Sequence, residues 1–320
     1  MSGVVSETIT GYSFRPRDLK VAEREPGISA FMRIRNGADF LERTILSHAD
    51  FFDEIVAVHS QCTDMTPEIL ASLQQRLGPK LSVYHYADRV FPPGSDGHAA
   101  TPADSPLSMV NYSNFALGRT TRRSVTKLDD DHLAIPAAVS SVAGRIREAG
   151  GCGEGMLSFS GINLIRDRSG ELAVPVQDPL SGSGDIGFFD VTPETFFTHD
   201  RRFESVPRPR GARRFSGFLY WHLKYLKTGM GFANYDLAEN PDSRFARRKA
   251  RLEENLRTMS LAGLKRHARP GVLAETSALF VGKARYARDR GRALETEFPD
   301  ASLTDALRRT VDPAYLDDIL

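Results

Sequence analysis

Cysteine is nearly absent: Cys62 and Cys152 are the only two in 320 residues. They stand far apart and in no metal-ligand spacing, which excludes a disulfide framework and a cysteine-based zinc site. Tryptophan occurs once, at Trp221. No stretch approaches the roughly 18 uninterrupted apolar residues that a membrane-spanning helix needs. Met1–Thr10 lacks the basic start and apolar middle of a secretory signal. There is little net charge, with 42 Lys and Arg against 41 Asp and Glu. The 26 Gly and 18 Pro follow no strict period, so the chain is neither collagen-like nor low-complexity, and it shows no internal repeat. What remains, 26% charged and 41% hydrophobic, is the composition of a soluble globular chain, expected to be cytoplasmic and reduced.

The charge balance is not local. Between Arg244 and Arg292, 14 Lys and Arg face 4 Asp and Glu, and between Arg201 and Phe215 six Arg face one Glu. The rest of the chain is correspondingly acidic. A basic tail on an acidic body suits contact with an anion such as a phosphate or an anionic membrane surface, or is simply a solvated helical face. No nucleic-acid-binding motif accompanies the charge.

Short β-rich runs alternate with helical patterns after a polar segment, 1–26, that reads as a leader. Ile28–Ile34, Glu54–Val58, Leu81–Tyr86 and Ser124–Leu128 are strand candidates. Asn36 is expected to cap a helix carrying Leu41 and Ile45, and Thr66-Pro67-Glu68 to start another, with the Thr as cap. Single amphipathic helices between strands imply right-handed crossovers and a mainly parallel sheet, whose ligands bind beyond the carboxyl ends of the strands. Residues 90–106 form a long Gly/Pro/Ser-rich loop, and Pro136 opens a helix. Met156–Arg166 with Leu172–Val176 reads as a hairpin, Ile186–Val191 as a short strand, and the chain from Arg244 onward as helical.

Asp129-Asp130-Asp131 closes the fourth β-rich run. Adjacent carboxylates repel, so a cation is needed to hold them ionised together. Acids two residues apart at a strand end present hard oxygen ligands to Mg²⁺ or Mn²⁺, which also seek phosphate oxygens. Without a ligand the same run is a helix-capping acidic turn before Pro136.

The order of features extends this reading. "ISAFMRIRN", "FFDEIVAVHSQCTDMTPEIL", "NYSNFAL" and "KLDDDH" follow one another between Gly27 and Lys227. In that order the chain resembles glycosyltransferase family 2 and its GT-A relatives. The resemblance implies an α/β, Rossmann-like GT-A domain over 27–230 and a basic helical C-terminal extension over 231–320. By the same resemblance Asp129 and Asp131 are the acids of a D-x-D motif. Asp131 would ligate the divalent metal, while Asp129 and Asp130 would lie toward the metal shell and the donor. Asn114 matches the family's Asn in "ARN", and Arg33 and Arg35 fall at the first strand's end beside the nucleotide. One departure is plain: where the family carries an acid after the second strand, this chain has His59-Ser60, which leaves the nucleobase open.

An inverting transfer needs a carboxylate to take the acceptor's proton. The family's usual "ED" pair is missing, so the candidates are Asp185, Asp190, Glu194, Asp200 and Glu204, with Asp185, in the glycine-flanked "GSGDIGFF", placed first. His222, beside Trp221, matches a late histidine that relatives return to the metal, or is a half-buried aromatic-patch residue. Lys224 and Lys227 are candidates for diphosphate or an anionic acceptor. The Arg201–Arg214 run reads as a mobile loop whose Arg213 and Arg214 meet an acidic sugar or lipid phosphate.

The expected function is a metal-dependent transferase that moves a sugar from a nucleoside-diphosphate donor to a glycan or lipid-linked acceptor of the cell-surface polysaccharide type. The basic tail is expected to touch the inner face of an anionic membrane. The alternatives are a non-catalytic GT-A-like scaffold that binds nucleotide or glycan and, less favoured because no Gly-rich phosphate loop follows the first strand, a nucleotidyltransferase.

Overall fold

Alternate residues of the strand Glu25–Ile34 enter two different cores. Ile28, Ala30, Met32 and Ile34 pack in one with the apolar faces of the helices 41–48, 66–77 and 136–149. Phe31 points the other way, into a cluster with Val56, Val58, Tyr86, Val110 and Phe115. Period-two alternation with both faces covered is the mark of a central strand between helical layers. A computed structural model describes residues 7–182, 186–199, 204–205, 213–278 and 281–320.

The strands are β1 (Glu7–Ile9), β2 (Glu25–Ile34), β3 (Glu54–His59), β4 (Leu81–Tyr86), β5 (Arg122–Lys127), β6 (His132–Ala134), β7 (Met156–Asn163), β8 (Ile165–Arg166), β9 (Leu172–Pro175), β10 (Leu180–Ser181), β11 (Gly187–Asp190), β12 (Thr198–His199), β13 (Glu204–Ser205), β14 (Arg213–His222) and β15 (Thr258–Met259). Ten of them form one sheet in the order β1-β4-β3-β2-β5-β11-β7-β14-β6, with β10 beside β7. The first five in that order run parallel. β11 is antiparallel to both neighbours, β14 is parallel to β7, and β6 is antiparallel to β14. The chain is thus α/β, a mixed, mostly parallel sheet flanked by helices, consistent with the GT-A-like architecture expected.

The helices named below are α1 (Leu41–His48), α2 (Thr66–Leu77), α3 (Asp96–Ala100), α4 (Met109–Gly118), α5 (Pro136–Ala149) and α6 (Arg244–Glu254), followed by four more to Thr310. None among the described residues is long and apolar enough to cross a membrane. The C-terminal helices bury Leu261, Leu264, Leu294, Phe298 and Leu307 against Trp221, Phe218 and Ile162. The segment read as a leader adds β1 to the sheet edge and Leu19 to the core.

Several local expectations are corrected. Asn36 adopts left-handed backbone at φ 52 and accepts the Thr63 N–H at 2.8 Å, and α1 starts later, at Leu41. Thr66 does not cap α2: its hydroxyl accepts the Gly37 N–H at 2.8 Å, while the Asp64 carboxylate takes the N–H of Thr66 and of Ala38. These bonds tie the loop after β2 to the loop after β3. Met156–Asn163 belongs to the main sheet, and only β8 and β9 form the hairpin.

Gly37 is set by what lies beside it. A Cβ there would stand 2.3 Å from Asp130 Oδ2 and 3.0 Å from Ile34 Cγ2. That carboxylate is pinned by Lys227 at 2.8 Å. Overpacking against a fixed group costs about 1–3 kcal/mol, so Gly37→Ala is expected to lower the unfolding free energy by that amount, read as a lower urea midpoint. An unchanged midpoint would mean that Asp130 moves freely.

Candidate functional site

The topology gathers the carboxyl ends of β2, β3, β4, β5, β7 and β14, and the start of β6, at one edge of the sheet. The turn Leu128–Asp131 links β5 to β6 at that edge. A cleft of about 720 Å³ opens there, lined by Arg33, Arg35, Ser60, Lys127, Asp129, Asp130, Asp131, His222, Lys224 and Lys227, and by Tyr235, Arg244, Phe245 and Arg248. Its wall therefore crosses the expected boundary at residue 230.

Each aspartate has its own environment. Asp129 is about one-third exposed and meets Lys127 Nζ at 3.0 Å and His132 Nε2 at 3.7 Å. Burial opposes its ionisation, but the neighbouring cations, Lys127 first, outweigh burial and hold its pKa down at about 2. Asp130 is buried and points away from the cleft mouth toward Gly37, paired with Lys227. Burial lifts its pKa to about 6, against the pull of Lys227. Asp131, also buried, faces His222 Nε2 at 3.1 Å and Lys227 Nζ at 3.8 Å. Burial works against this carboxylate too, yet His222 and Lys227 keep it well below the usual range. Asp130 and Asp131 in turn overcome the cost of burying Lys227 and raise its pKa.

Asp131, His132 and His222 each offer a ligand atom, and these atoms lie within 4.8 Å of one another. Two cis ligands about 2.2 Å from one ion are about 3.1 Å apart, and His222 Nε2 and Asp131 Oδ1 have that spacing. The carboxylate suits Mn²⁺ or Mg²⁺, while the two imidazoles suit a first-row transition ion and so favour Mn²⁺ of the two. The His132 ring is stacked on Tyr220 with centroids 3.6 Å apart, and burial drives its pKa down to about 3, so it presents neutral imidazole. Lys127 answers Asp129, while Lys227 sits closer to Asp130 than to Asp131, whose nearest partner is His222. The residues present fit a metal ion.

The other expected residues separate into two groups. Arg33, which donates to Ser113 Oγ, and Arg35, bidentate to Asp236 at 2.7 and 3.1 Å, line the cleft. So does Lys224, whose Nζ lies 5.2 Å and 5.4 Å from the ring centroids of Phe232 and Tyr235. Ser60 lines it as well, with its hydroxyl on the Asp88 carbonyl.

His59 does not. It is stacked on His85 at 4.9 Å in a separate hollow with Cys62, and burial lowers its pKa to about 4. Asn114 is buried, with both amide atoms spent on the Phe197 backbone at 2.6 and 2.9 Å, so it holds that segment rather than a donor.

Asp190 ends β11, which runs antiparallel to β5 and places it opposite Ser124, at the far edge of the sheet. Its carboxylate accepts from Ser124 Oγ and from the N–H groups of Cys152 and Gly153. That makes it a clamp on the turn after α5 and not a base at the cleft. Arg213 and Arg214 open β14 opposite Met156 and Leu157 instead of lying in a loop. His222 closes that same strand, so at about 3.3 Å per residue they stand nearly 30 Å from it. Asp185 and Asp200 lie outside the described residues.

The sequence reading missed Asn163, Asp178 and Asp236. Asn163 ends β7 in register with His222 and sits 2.5 Å from His222 Nδ1. Its signal was weak, a polar residue closing the apolar run "MLSFSGIN".

No protein-family model and no curated protein matches the chain. Among solved structures it is similar to glucosyl-3-phosphoglycerate synthase from Mycobacterium tuberculosis in complex with Mn²⁺, uridine diphosphate and phosphoglyceric acid, at 18% identity and TM-score 0.29, over 52% of this chain and 53% of that one. The same synthase with Mg²⁺ and uridine diphosphate gives 18% identity and TM-score 0.30, over 52% of each chain. A further mycobacterial protein gives 16% identity and TM-score 0.30, over 48% of this chain and 47% of that one. The chain spans about half the length of the solved structures it matches.

Proposed function

We propose that the protein is a glycosyltransferase that uses a nucleoside-diphosphate sugar and a divalent cation, Mn²⁺ or Mg²⁺. The observation that carries this reading is the cluster of Asp131, His132 and His222 at the carboxyl edge of a mostly parallel sheet, with Asp131 and His222 lining a cleft that Arg33 and Ser60 also line. In such sheets ligands bind at that edge. A bound divalent ion supplies Lewis-acid neutralisation of the charge that grows on the departing diphosphate. The chain's own residues do the rest. Asp131, His132 and His222 hold the cation's position, and Lys127 keeps Asp129 ionised beside the donor. Arg33 and Ser60 form the wall on the side of β2 and β3, where a nucleotide would lie.

The acceptor side is the wall formed by Lys224, Tyr235, Arg244, Phe245 and Arg248. Seven cationic side chains line the cleft against three carboxylates, and guanidinium and ammonium groups together recognise phosphate or carboxylate. The acceptor is therefore an anionic hydroxyl compound, a phosphate-bearing glycan or a lipid-linked phosphate among them. Arg244 and Arg248 turn toward the cleft, which leaves less of α6 to meet a membrane, although docking through its remaining cations stays part of the reading. Asp185 is proposed as the proton acceptor, since Asp190 stands at the other edge.

The test is release of nucleoside diphosphate from a panel of sugar nucleotides, with and without Mn²⁺. Metal-dependent release from at least one donor is expected. Binding of nucleotide without any turnover on the whole panel would favour the non-catalytic scaffold, for which His59-Ser60 in place of an acid is the supporting feature.

A further inference from the structure

His222 reaches the metal cluster through only one of its two ring nitrogens; the other is committed inside the protein. Nδ1 meets Asn163 Oδ1 at 2.5 Å, and Asn163 is 1% exposed. The amide cannot flip, because its Nδ2 donates to the Asp178 carbonyl at 2.6 Å and to Asp178 Oδ2 at 3.1 Å. Oδ1 has lone pairs only, so Nδ1 must carry the hydrogen, and Nε2, on the side of Asp131, is the ring nitrogen left to give its lone pair to a cation. Asp178 is fixed in its turn by the Tyr225 hydroxyl and by Arg248 from α6. The register of β14 on β7 sets His222 directly beside Asn163.

We propose that Asn163, anchored by Asp178, is a positioning residue for the metal: it selects the His222 tautomer that can ligate and holds the ring in place. This rests on the reading of Asp131, His132 and His222 as a metal centre. It also ties the acceptor wall to that centre, since Arg248 lines the cleft and grips Asp178. Partners of this kind, one bond removed from a metal, are worth about 10- to 100-fold in affinity.

The experiment is Mn²⁺ titration of the full-length protein, following the electron paramagnetic resonance signal of the free ion, with thermal unfolding recorded alongside. Asn163→Leu is expected to weaken Mn²⁺ binding about 10- to 100-fold, and Asp178→Asn about 3- to 10-fold. His222→Ala should cost at least as much as Asn163→Leu. The double variant Asn163→Leu/His222→Ala should bind no worse than His222→Ala alone, because Asn163 acts only through the histidine. A merely structural role would lower the melting temperature and leave the Kd in place. Multiplicative losses in the double variant, or a Kd within about twofold of wild type in Asn163→Leu, would overturn the positioning role alone. If Asn163→Leu does not fold, Asp178→Asn decides by the same criterion. A wild-type protein that binds no Mn²⁺ would overturn the metal reading and this role with it.

Discussion

Asp131→Ala is expected to abolish metal-dependent release of nucleoside diphosphate, lowering turnover by about a thousandfold or more. Single electrostatic contacts to a developing anion are worth about 10²–10³ in rate, and this residue holds the ion that makes them. Its neighbours are expected to behave differently, and the contrast is the informative part. Asp129 is paired with Lys127 and partly exposed, so Asp129→Asn should cost about tenfold, roughly two orders less than the loss of a metal ligand. Asp190→Ala should leave turnover near wild type, because that carboxylate serves the Cys152–Gly153 turn at the opposite edge of the sheet. Equal losses at Asp129, Asp131 and Asp190 would indicate general unfolding and not a site. The measurement is diphosphate release at saturating donor and Mn²⁺, with circular dichroism as the control for fold.

Lys227→Met is expected to be the most destabilising single change in the cleft. The residue is 7% exposed, and its ammonium lies 2.8 Å from Asp130 and 3.8 Å from Asp131. Removing it strands two buried carboxylates. Breaking a buried pair from one side costs about 3–5 kcal/mol, because the desolvated partner is left uncompensated. Urea unfolding without metal should show that loss. Adding Asp130→Asn to Lys227→Met should recover a large part of it, since only one buried anion then remains. A Lys227→Met protein within about 1 kcal/mol of wild type would mean that the pair is solvated and worth no more than a surface bridge.

The half of the fold that lies around β2–β5 was legible because its signals are local. Alternating apolar residues in "ISAFMRI", the apolar run "EIVAV" and the proline at the start of α2 each speak for their own segment. The cap assignments failed where a side chain had a better distant partner, as Thr66 does in Gly37 and Asn36 in Thr63. β14 was hidden by its ends. Arg213-Arg214 belong to the Arg-rich run expected as a loop, while the run Phe218–Tyr220 carries the continuous hydrophobicity of a strand covered on both faces.

The same division holds in the site. Asp131 and His222 stood out by residue type and order, and the structure brings them within 3.1 Å of each other. His132 was adjacent to the acids and passed over, although an imidazole beside a carboxylate run is a legible ligand. Asn163, Asp178 and Asp236 owe their meaning to register and to contacts over 59, 15 and 201 residues of chain, which no local pattern encodes.

The central claim is that the cleft holds a divalent cation which in turn grips a diphosphate. It is tested most directly by Mn²⁺ titration of the intact protein in the absence and presence of nucleoside diphosphates. Saturable binding of a single Mn²⁺ is expected, tightened about tenfold or more by one of the nucleotides through mutual linkage, and lost in Asp131→Ala. Binding that ignores both the nucleotide and the Asp131→Ala change, or no binding at all, would contradict it.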